Sequence, residues 1–371
     1  KRTGAVCVVL GGMIGWPGAA APPEPGVYDA WLESRGGRVA FTLEVEPGLR
    51  AARVTNGEEV IRKGARVEGE SLVIPFEPYG AELRVRASEA GGELRGEWVR
   101  RRKVDEYTTV AFGGVPQAPL PLVRPIGFTL PERWTIRFAA AEPEEASDVG
   151  VFRMMPDGRV HGTILTTTGD WRYLHGMLGV SEAGRRLELS SFSGSGATLI
   201  CAEISEDGRV MRGRSYSGGG EAKEFVAHAD EGAALPDDFT LTRAVGGPDF
   251  DALAFTDPAT GERASLASFL PSGARGPMLI HLFGSWCPNS NDAAELMNEV
   301  CAAYAARGLV VVGLAFEGTG DAALDRERVA AFCASHGTAY PVLMAAGETD
   351  KKKAAALLRS EEHTSELQSL T

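Results

Sequence analysis

The chain has 371 residues, enough for two or three domains, and 44% of them are hydrophobic, which supplies cores without any membrane span. Its formal net charge of −12 argues against nucleic acid or an anionic membrane surface as the main partner. The five cysteines, Cys7, Cys201, Cys287, Cys301 and Cys333, form no CxxC or zinc-type pair, which excludes a disulfide-stapled scaffold and gives no sign of a metal.

Lys1 and Arg2 precede an apolar run from Ala5 to Ile14 and the small residues Gly18, Ala19, Ala20 and Ala21. That pattern predicts a secretory signal peptide over 1–21, too short for a membrane helix. Pro22 disfavours cleavage directly after Ala21, so the cut is expected a residue or so earlier. Cleavage removes Cys7.

From about 26 to 238 the chain reads as β structure. Apolar and polar residues alternate over Arg38–Val45, Ser71–Phe76 and Ala81–Arg86. Turn signals recur at Asn56-Gly57, Gly91-Gly92, Asp157-Gly158, Gly169-Asp170 and Asp207-Gly208. Many short strands at that spacing predict a sandwich or barrel. Two modules are expected, 26–115 and 132–238, joined by the Pro-rich stretch 116–131. A faint repeat links them: Phe76, Gly80, Ala81 and Leu83 match Phe192, Gly196, Ala197 and Leu199 in spacing, and Gly92-x-Leu94 matches Gly208-x-Val210. Duplication and chance coincidence of short β patterns both account for it. The basic run Arg100–Lys103 is expected on a solvated strand edge, where it would discourage edge-to-edge pairing. Asp170, Trp171, Arg172 and Tyr173 admit two readings. They form a ligand or partner surface, or, by default, a turn leading into a strand with an aromatic core face.

A linker runs from Leu235 to Pro248. Within the last domain, 239–358, Met278–Phe283 is a short apolar run that predicts a buried strand. Pro288 suits the first turn of a helix, where its missing N–H has no partner. Helical spacing of Ala294, Met297, Val300, Cys301 and Tyr304 predicts a helix over Asn291–Arg307, stopped by Gly308. Leu309–Phe316 is the next buried strand, so the unit is βαβ with parallel strands. A helix over Asp325–His336, a strand over Tyr340–Met344 and a helix beginning over Lys351–Leu358 follow.

Cys287 falls at the strand-to-helix junction. Unpaired N–H groups and the helix dipole there favour negative charge, and a thiolate so placed is more reactive. Cys301 lies fourteen residues along the same helix, roughly 21 Å away, too far for a disulfide. Cys333 and Cys201 read as core residues. His281, inside the strand, reads as core or hydrogen-bonded. No Ser-His-Asp pattern or phosphate loop stands out, and neither a metal nor a cofactor is expected.

Trp286, Cys287, Pro288, Asn289 and Ser290 resemble the Trp-Cys-Pro-x-Cys active site of thioredoxin-like proteins, most closely the TlpA/ResA branch of exported thiol–disulfide oxidoreductases, relatives of the AhpC/TSA peroxiredoxins. Phe255, Asp257, Gly261, Ser265 and Leu266 resemble that branch's hairpin before the catalytic strand. The resemblance covers about 240–358 and implies a thioredoxin-like α/β domain with Cys287 as nucleophile, Trp286 and Pro288 shaping the site, and Ser290 in the resolver position as a hydrogen-bond donor to the thiolate. A serine hydroxyl cannot attack a mixed disulfide, so the two-cysteine cycle is closed. Monothiol exchange, trapping of a partner, and peroxidase chemistry through a sulfenate remain. The last is disfavoured because Gly284 stands where peroxiredoxins carry Thr or Ser.

Residues 359–371 resemble the translation of a sequencing-library adapter and are read as a non-native tail. The fold implied by the resemblance needs a further hairpin and helix after Leu358, so the domain is expected to be truncated; Pro341 precedes an earlier strand and is not the cis-proline that would face Cys287. A single base separates Cys and Ser codons, which leaves open that Ser290 is a sequence error. The expected function is exported thiol–disulfide exchange in the periplasm or cell envelope of a bacterium, with protein or small-molecule thiols and disulfides as partners and no nucleic acid. The rival expectation is a redox-inactive thioredoxin-like module whose β region is a binding or envelope-interaction surface.

Overall fold

The computed structural model describes residues 21–77, 79–88, 92–118, 127–139, 146–181, 184–217, 221–237, 240, 242–244, 254–270, 276–345 and 360–362. Nearly all of the expected signal peptide, the helix expected over Lys351–Leu358 and most of the expected tail lie outside them. The described residues are mostly β strand, in barrel-like sheets with few helices.

Nine strands make the first sheet: β1 (Gly26–Ser34), β2 (Gly37–Val45), β3 (Ala51–Asn56), β4 (Glu59–Gly64), β5 (Arg66–Glu68), β6 (Ser71–Phe76), β7 (Ala81–Ala87), β8 (Leu94–Arg101) and β9 (Tyr107–Pro116). They run as an antiparallel meander, and β9 returns to pair with β1. β4 pairs with β3 and β5 with β6. The two are one stretch of chain bent at Ala65, so the meander curls round on itself. Alternation explains its interior: Val39, Phe41, Leu43 and Val45 of β2 are all buried, while Arg38 and Ala40 face out.

The second sheet holds β10 (Arg133–Phe138), β11 (Asp148–Met154), β12 (Arg159–Thr166), β13 (Gly169–Asp170), β14 (Leu174–Ser181), β15 (Gly184–Phe192), β16 (Ala197–Ile204), β17 (Val210–Ser217) and β18 (Lys223–Ala229). β18 pairs with β10, and β10 with β11, which closes an eight-stranded ring; the two-residue β13 hooks onto β12. Trp134, Phe152, Leu178, Leu189 and Phe225 fill it.

The matched stretches of the repeat take the same shape. β6 leads through a tight turn into β7, and β15 through a tight turn into β16. Phe76 and Phe192 end the first strand of each pair, are fully buried, and meet edge-on with centroids 5.5 Å apart. The two barrels are pinned there. Asn56 Nδ2 donates to Phe192 O at 3.0 Å and Asn56 Oδ1 accepts from Phe192 N–H at 2.9 Å. Trp98 Nε1 donates to Gly194 O at 3.1 Å.

The Arg100–Lys103 run divides: Arg102 and Lys103 are exposed in the turn between β8 and β9, whereas Arg100 and Arg101 lie within β8 and not on an edge. β8 lies between β7 and β9, so its backbone is paired on both sides. Arg100 Nη1 donates to Ser195 O of the second barrel, and burial lowers the Arg100 pKa to about 10. A long aliphatic stem lets arginine enter a part-buried joint while a carbonyl takes its head, which is why that part of the run misreads as a solvated edge.

Beyond the barrels, β19 (Thr242–Ala244), β20 (Ala254–Thr256), β21 (Arg263–Ser265), β22 (Met278–Phe283), α1 (Pro288–Tyr304), β23 (Val310–Phe316), α2 (Ala322–His336) and β24 (Val342–Ala345) follow. The sheet order is β21-β20-β24-β23-β22, with β22, β23 and β24 parallel and α1 and α2 as their crossovers. α2 begins before the expected Asp325 because Asp321 caps it, accepting from Ala323 N–H at 3.0 Å and Leu324 N–H at 2.8 Å. β25 (Ser360–Glu362), inside the expected non-native tail, pairs with β19 through a three-residue ladder. Such backbone pairing asks little of the side chains.

Candidate functional site

Cys287 is the N-cap of α1, with extended backbone at φ −94° and ψ 120° and Pro288 in the first turn. β22 ends at Phe283, and four residues carry the chain over to the helix. Cys287 N–H donates to Gly284 O at 3.0 Å, closing a tight turn, and Asn291 N–H donates to Cys287 O at 3.1 Å, opening the helix. Asn291, buried, also gives Nδ2 to Cys287 O at 2.8 Å and to Ser285 O at 3.0 Å. His336 Nε2 lies 2.7 Å from Asn291 Oδ1, so α2 braces the same turn. Cys287 itself is half-buried and carries a free thiol.

Trp286 donates its indole N–H to Phe316 O at 3.0 Å, which fixes the ring across the end of β23. The ring lies hard against Gly284, where an added Cβ would come within 2.4 Å of Trp286 Cε2. Only glycine fits under the indole. The absent Thr or Ser of the peroxide-binding pattern therefore has a steric reason.

Ser290 Oγ accepts a long 3.4 Å bond from Gly284 N–H. That bond uses a lone pair of the hydroxyl and leaves its proton uncommitted, so the donor role toward the thiolate stays an expectation. The hydroxyl is drawn there because the turn leaves the Gly284 N–H free to bond it.

No local sequence pattern singles out Glu317. It is fully buried, and Ser285 holds both its oxygens, N–H to Oε1 at 2.7 Å and Oγ to Oε2 at 2.9 Å. Burial raises its carboxyl to about 7, against the pull of the Ser285 bonds and of Arg328. The signal was in the register. β22 and β23 are parallel with Phe283 opposite Ala315, so residues two further on, Ser285 and Glu317, come level.

The other thiols sit elsewhere. Cys333 packs beside Phe283, Val329 and Phe332, and Cys201 borders the first barrel's core; burial raises both thiols. Cys301 lies on α1 with its sulfur 4.0 Å from Ala339 O. His281 is buried, with Nδ1 3.1 Å from Tyr340 Oη, and burial lowers it to about 4. No cluster of three or more His, Cys, Asp or Glu suited to a metal occurs among the described residues. Nor is any helix among them long and apolar enough to cross a membrane.

The stretch 170–173 divides between its two readings. Trp171 packs on the second barrel's core and stacks on Phe138 at 5.3 Å. Arg172 turns away from it. Its guanidinium pairs with Glu59 of the first barrel and with Asp292 of α1. Asn289 Nδ2 donates to Asp170 O at 3.3 Å. The second barrel thus touches the cysteine motif directly.

No family model and no curated protein matches this chain. Among solved structures it is similar to a secreted Mycobacterium tuberculosis disulfide oxidoreductase homologous to E. coli DsbE, at 19% identity and TM-score 0.22, over 29% of this chain and 69% of that one. A protein of unknown function from the DUF3598 family of Nostoc punctiforme is similar at 10% identity and TM-score 0.18, over 55% of this chain and 94% of its own. The Myxococcus xanthus hemagglutinin in complex with a mannopentaose is similar at 11% identity and TM-score 0.13, over 55% of this chain and 99% of its own.

Proposed function

We propose that the protein is an exported, TlpA-type thioredoxin-like thiol–disulfide oxidoreductase that works with one nucleophilic cysteine. The observation that carries this reading is Cys287 at the N-cap of α1, directly after the parallel strand β22 and with Pro288 in the first turn. There the sulfur sits at the helix end, where unpaired backbone N–H groups favour negative charge on a bound or developing anion. The Cys287 thiolate attacks one sulfur of a disulfide, forming a mixed disulfide and releasing the other half as a thiolate, which takes up a proton. An external thiol then attacks the partner's sulfur, freeing Cys287 and leaving a new disulfide in solution. Ser290 offers no sulfur for an internal second step. Trp286 and Asn291 hold the turn, and Glu317 beneath Ser285 is the nearby buried carboxyl that can change protonation near neutrality. The basic start and apolar run of residues 1–14 support export to a bacterial periplasm or envelope.

The test is turnover of insulin or glutathione disulfide with an external thiol. Ser290→Cys is expected to raise it about tenfold or more by supplying an internal resolver, and Cys287→Ser to abolish it. No gain from Ser290→Cys counts against the reading.

The rival reading, a redox-inactive module with a binding β region, has one observation of its own. The outer wall of the second barrel carries a groove of about 590 Å³ lined by Arg137, Arg186, Arg212, Arg214, Cys201 and Tyr216, among others. Glu203 and Glu224 line it too, and Arg186 and Arg214 pair with Glu188 and Glu224, so the positive excess it offers an anionic ligand is small. Binding there by a protein inert at Cys287 would favour the rival.

A further inference from the structure

The 169–172 hook of the second barrel lies on the cysteine motif. Gly169 approaches so closely that a Cβ there would fall 1.9 Å from Asn289 Nδ2, and Asp170 O accepts from that same amide. Asn289 and Asp292 are two and five residues beyond Cys287, in the first turns of α1. Arg172 clamps the hook: its guanidinium bridges Glu59 and Asp292, joining both barrels to α1, and its N–H donates to Asp170 Oδ1 at 2.8 Å. The first barrel closes in from the side. Tyr79, in the turn after β6, is within electrostatic reach of Cys287, Arg172, Asp292 and Glu59. Farther along, Arg328 of α2 donates to the carbonyls of Arg101 and Arg102.

The clamp is not at rest. Arg172 has left-handed backbone, φ +63°, unusual for a residue other than glycine, and its Nε is buried without a hydrogen-bond partner in the structure. The buried, unpartnered Nε costs free energy in the docked state, so release costs less than it would from a fully satisfied contact. The rim is also acidic. Glu59, Asp170 and Asp292 set three carboxylates against one guanidinium.

We propose that the β region is a docked wall over the Cys287 site, latched by Arg172, which admits small neutral or cationic disulfides and holds out folded protein disulfides. This rests on the redox reading above for its substrate class, but the wall itself does not. A small disulfide passes the wall and undergoes the balanced exchange already written. A protein disulfide needs the latch open. An anionic disulfide meets like charge at the rim.

Two measurements on the full chain separate wall from chemistry. In the first, Cys287 is alkylated by N-ethylmaleimide and by a polyethylene-glycol maleimide, with peptide mapping. Asp292→Ala removes the latch from its largely exposed side, so folding is spared, and Arg172→Ala removes it from the other. Both variants are expected to speed the bulky reagent about tenfold while changing the small one less than about threefold, as a shift toward the open state requires. An unchanged ratio of the two rates overturns the wall. In the second, the mixed disulfide at Cys287 is followed with cystamine, glutathione disulfide and insulin. Wild type is expected to react fastest with cystamine and slowest with insulin, and the variants to gain most with insulin. If glutathione disulfide outruns cystamine, the charge selection is wrong. If size selection is lost in the variants but no disulfide reacts at Cys287 in any protein, the substrate class falls together with the redox reading and the wall stands.

Discussion

Ser285 and Glu317 sit level at the ends of two parallel strands, both fully buried, and the serine gives both its donors to the carboxyl. A buried acid held this way couples the turn under Cys287 to pH. The folded protein holds the Glu317 proton more tightly than an unfolded chain, whose carboxyl titrates near its ordinary 4.5. Its contribution to stability is therefore full below about 4.5 and is lost as pH rises through about 7, by on the order of 1–3 kcal/mol. Glu317→Gln keeps the shape and removes the titration. Urea unfolding from about pH 5 to about pH 8 is expected to show wild type losing ground against Glu317→Gln as pH rises. Parallel curves would refute it.

The histidines work in the opposite sense. Burial lowers both His175 and His281 to about 4 from 6.5. They stay neutral in the fold while the unfolded chain picks up protons, so stability is full above about 6.5 and lost as pH falls toward about 4. With two histidines set against one carboxyl, stability is expected to rise with pH from about 4 and to flatten near pH 7. Removing the carboxyl titration with Glu317→Gln is expected to steepen that rise between about pH 5 and about pH 7, and an unchanged slope would contradict the assignment of Glu317.

Asn56 joins the barrels by answering both backbone groups of Phe192. Asn56→Ala leaves a buried N–H and C=O unpaired, which is expected to cost on the order of 3 kcal/mol. The same substitution also loosens Glu59, which takes a 3.3 Å bond from Asn56 Nδ2 and pairs with Arg172. Denaturant melts measure the first effect.

Gly284→Ala places a methyl against the Trp286 ring. The indole must leave Phe316 O or the turn must shift, at a cost of about 1–3 kcal/mol. Tryptophan fluorescence and melting should both change. A silent substitution would mean that the ring does not lie as described.

Much of this was legible in the chain, and the division is physical. Local periodicity set the strands at Arg38–Val45, Ser71–Phe76 and Ala81–Arg86, and Gly57 and Gly208, at φ +60° and +73°, marked turns that need left-handed backbone. The placing of Cys287 between a short apolar run and Pro288 needed only adjacent residues. Ring closure, β9 on β1 and β18 on β10, joins segments some eighty to a hundred residues apart, and no local pattern announces it. Glu317 required the strand register. Arg172 read as one residue of an aromatic turn because its two partners, Glu59 and Asp292, lie more than a hundred residues away on either side. The Arg100 head looked solvated because its carbonyl partner belongs to the other barrel.

On the proposed reading one sulfur, that of Cys287, does the chemistry. Incubating the purified protein with a small disulfide and mapping adducts at Cys201, Cys287, Cys301 and Cys333 over time tests it directly. A mixed disulfide is expected at Cys287 first, with Cys201 and Cys333 lagging at least about tenfold because burial keeps their thiols protonated. Adducts forming at Cys287 no faster than at those two buried positions would contradict it.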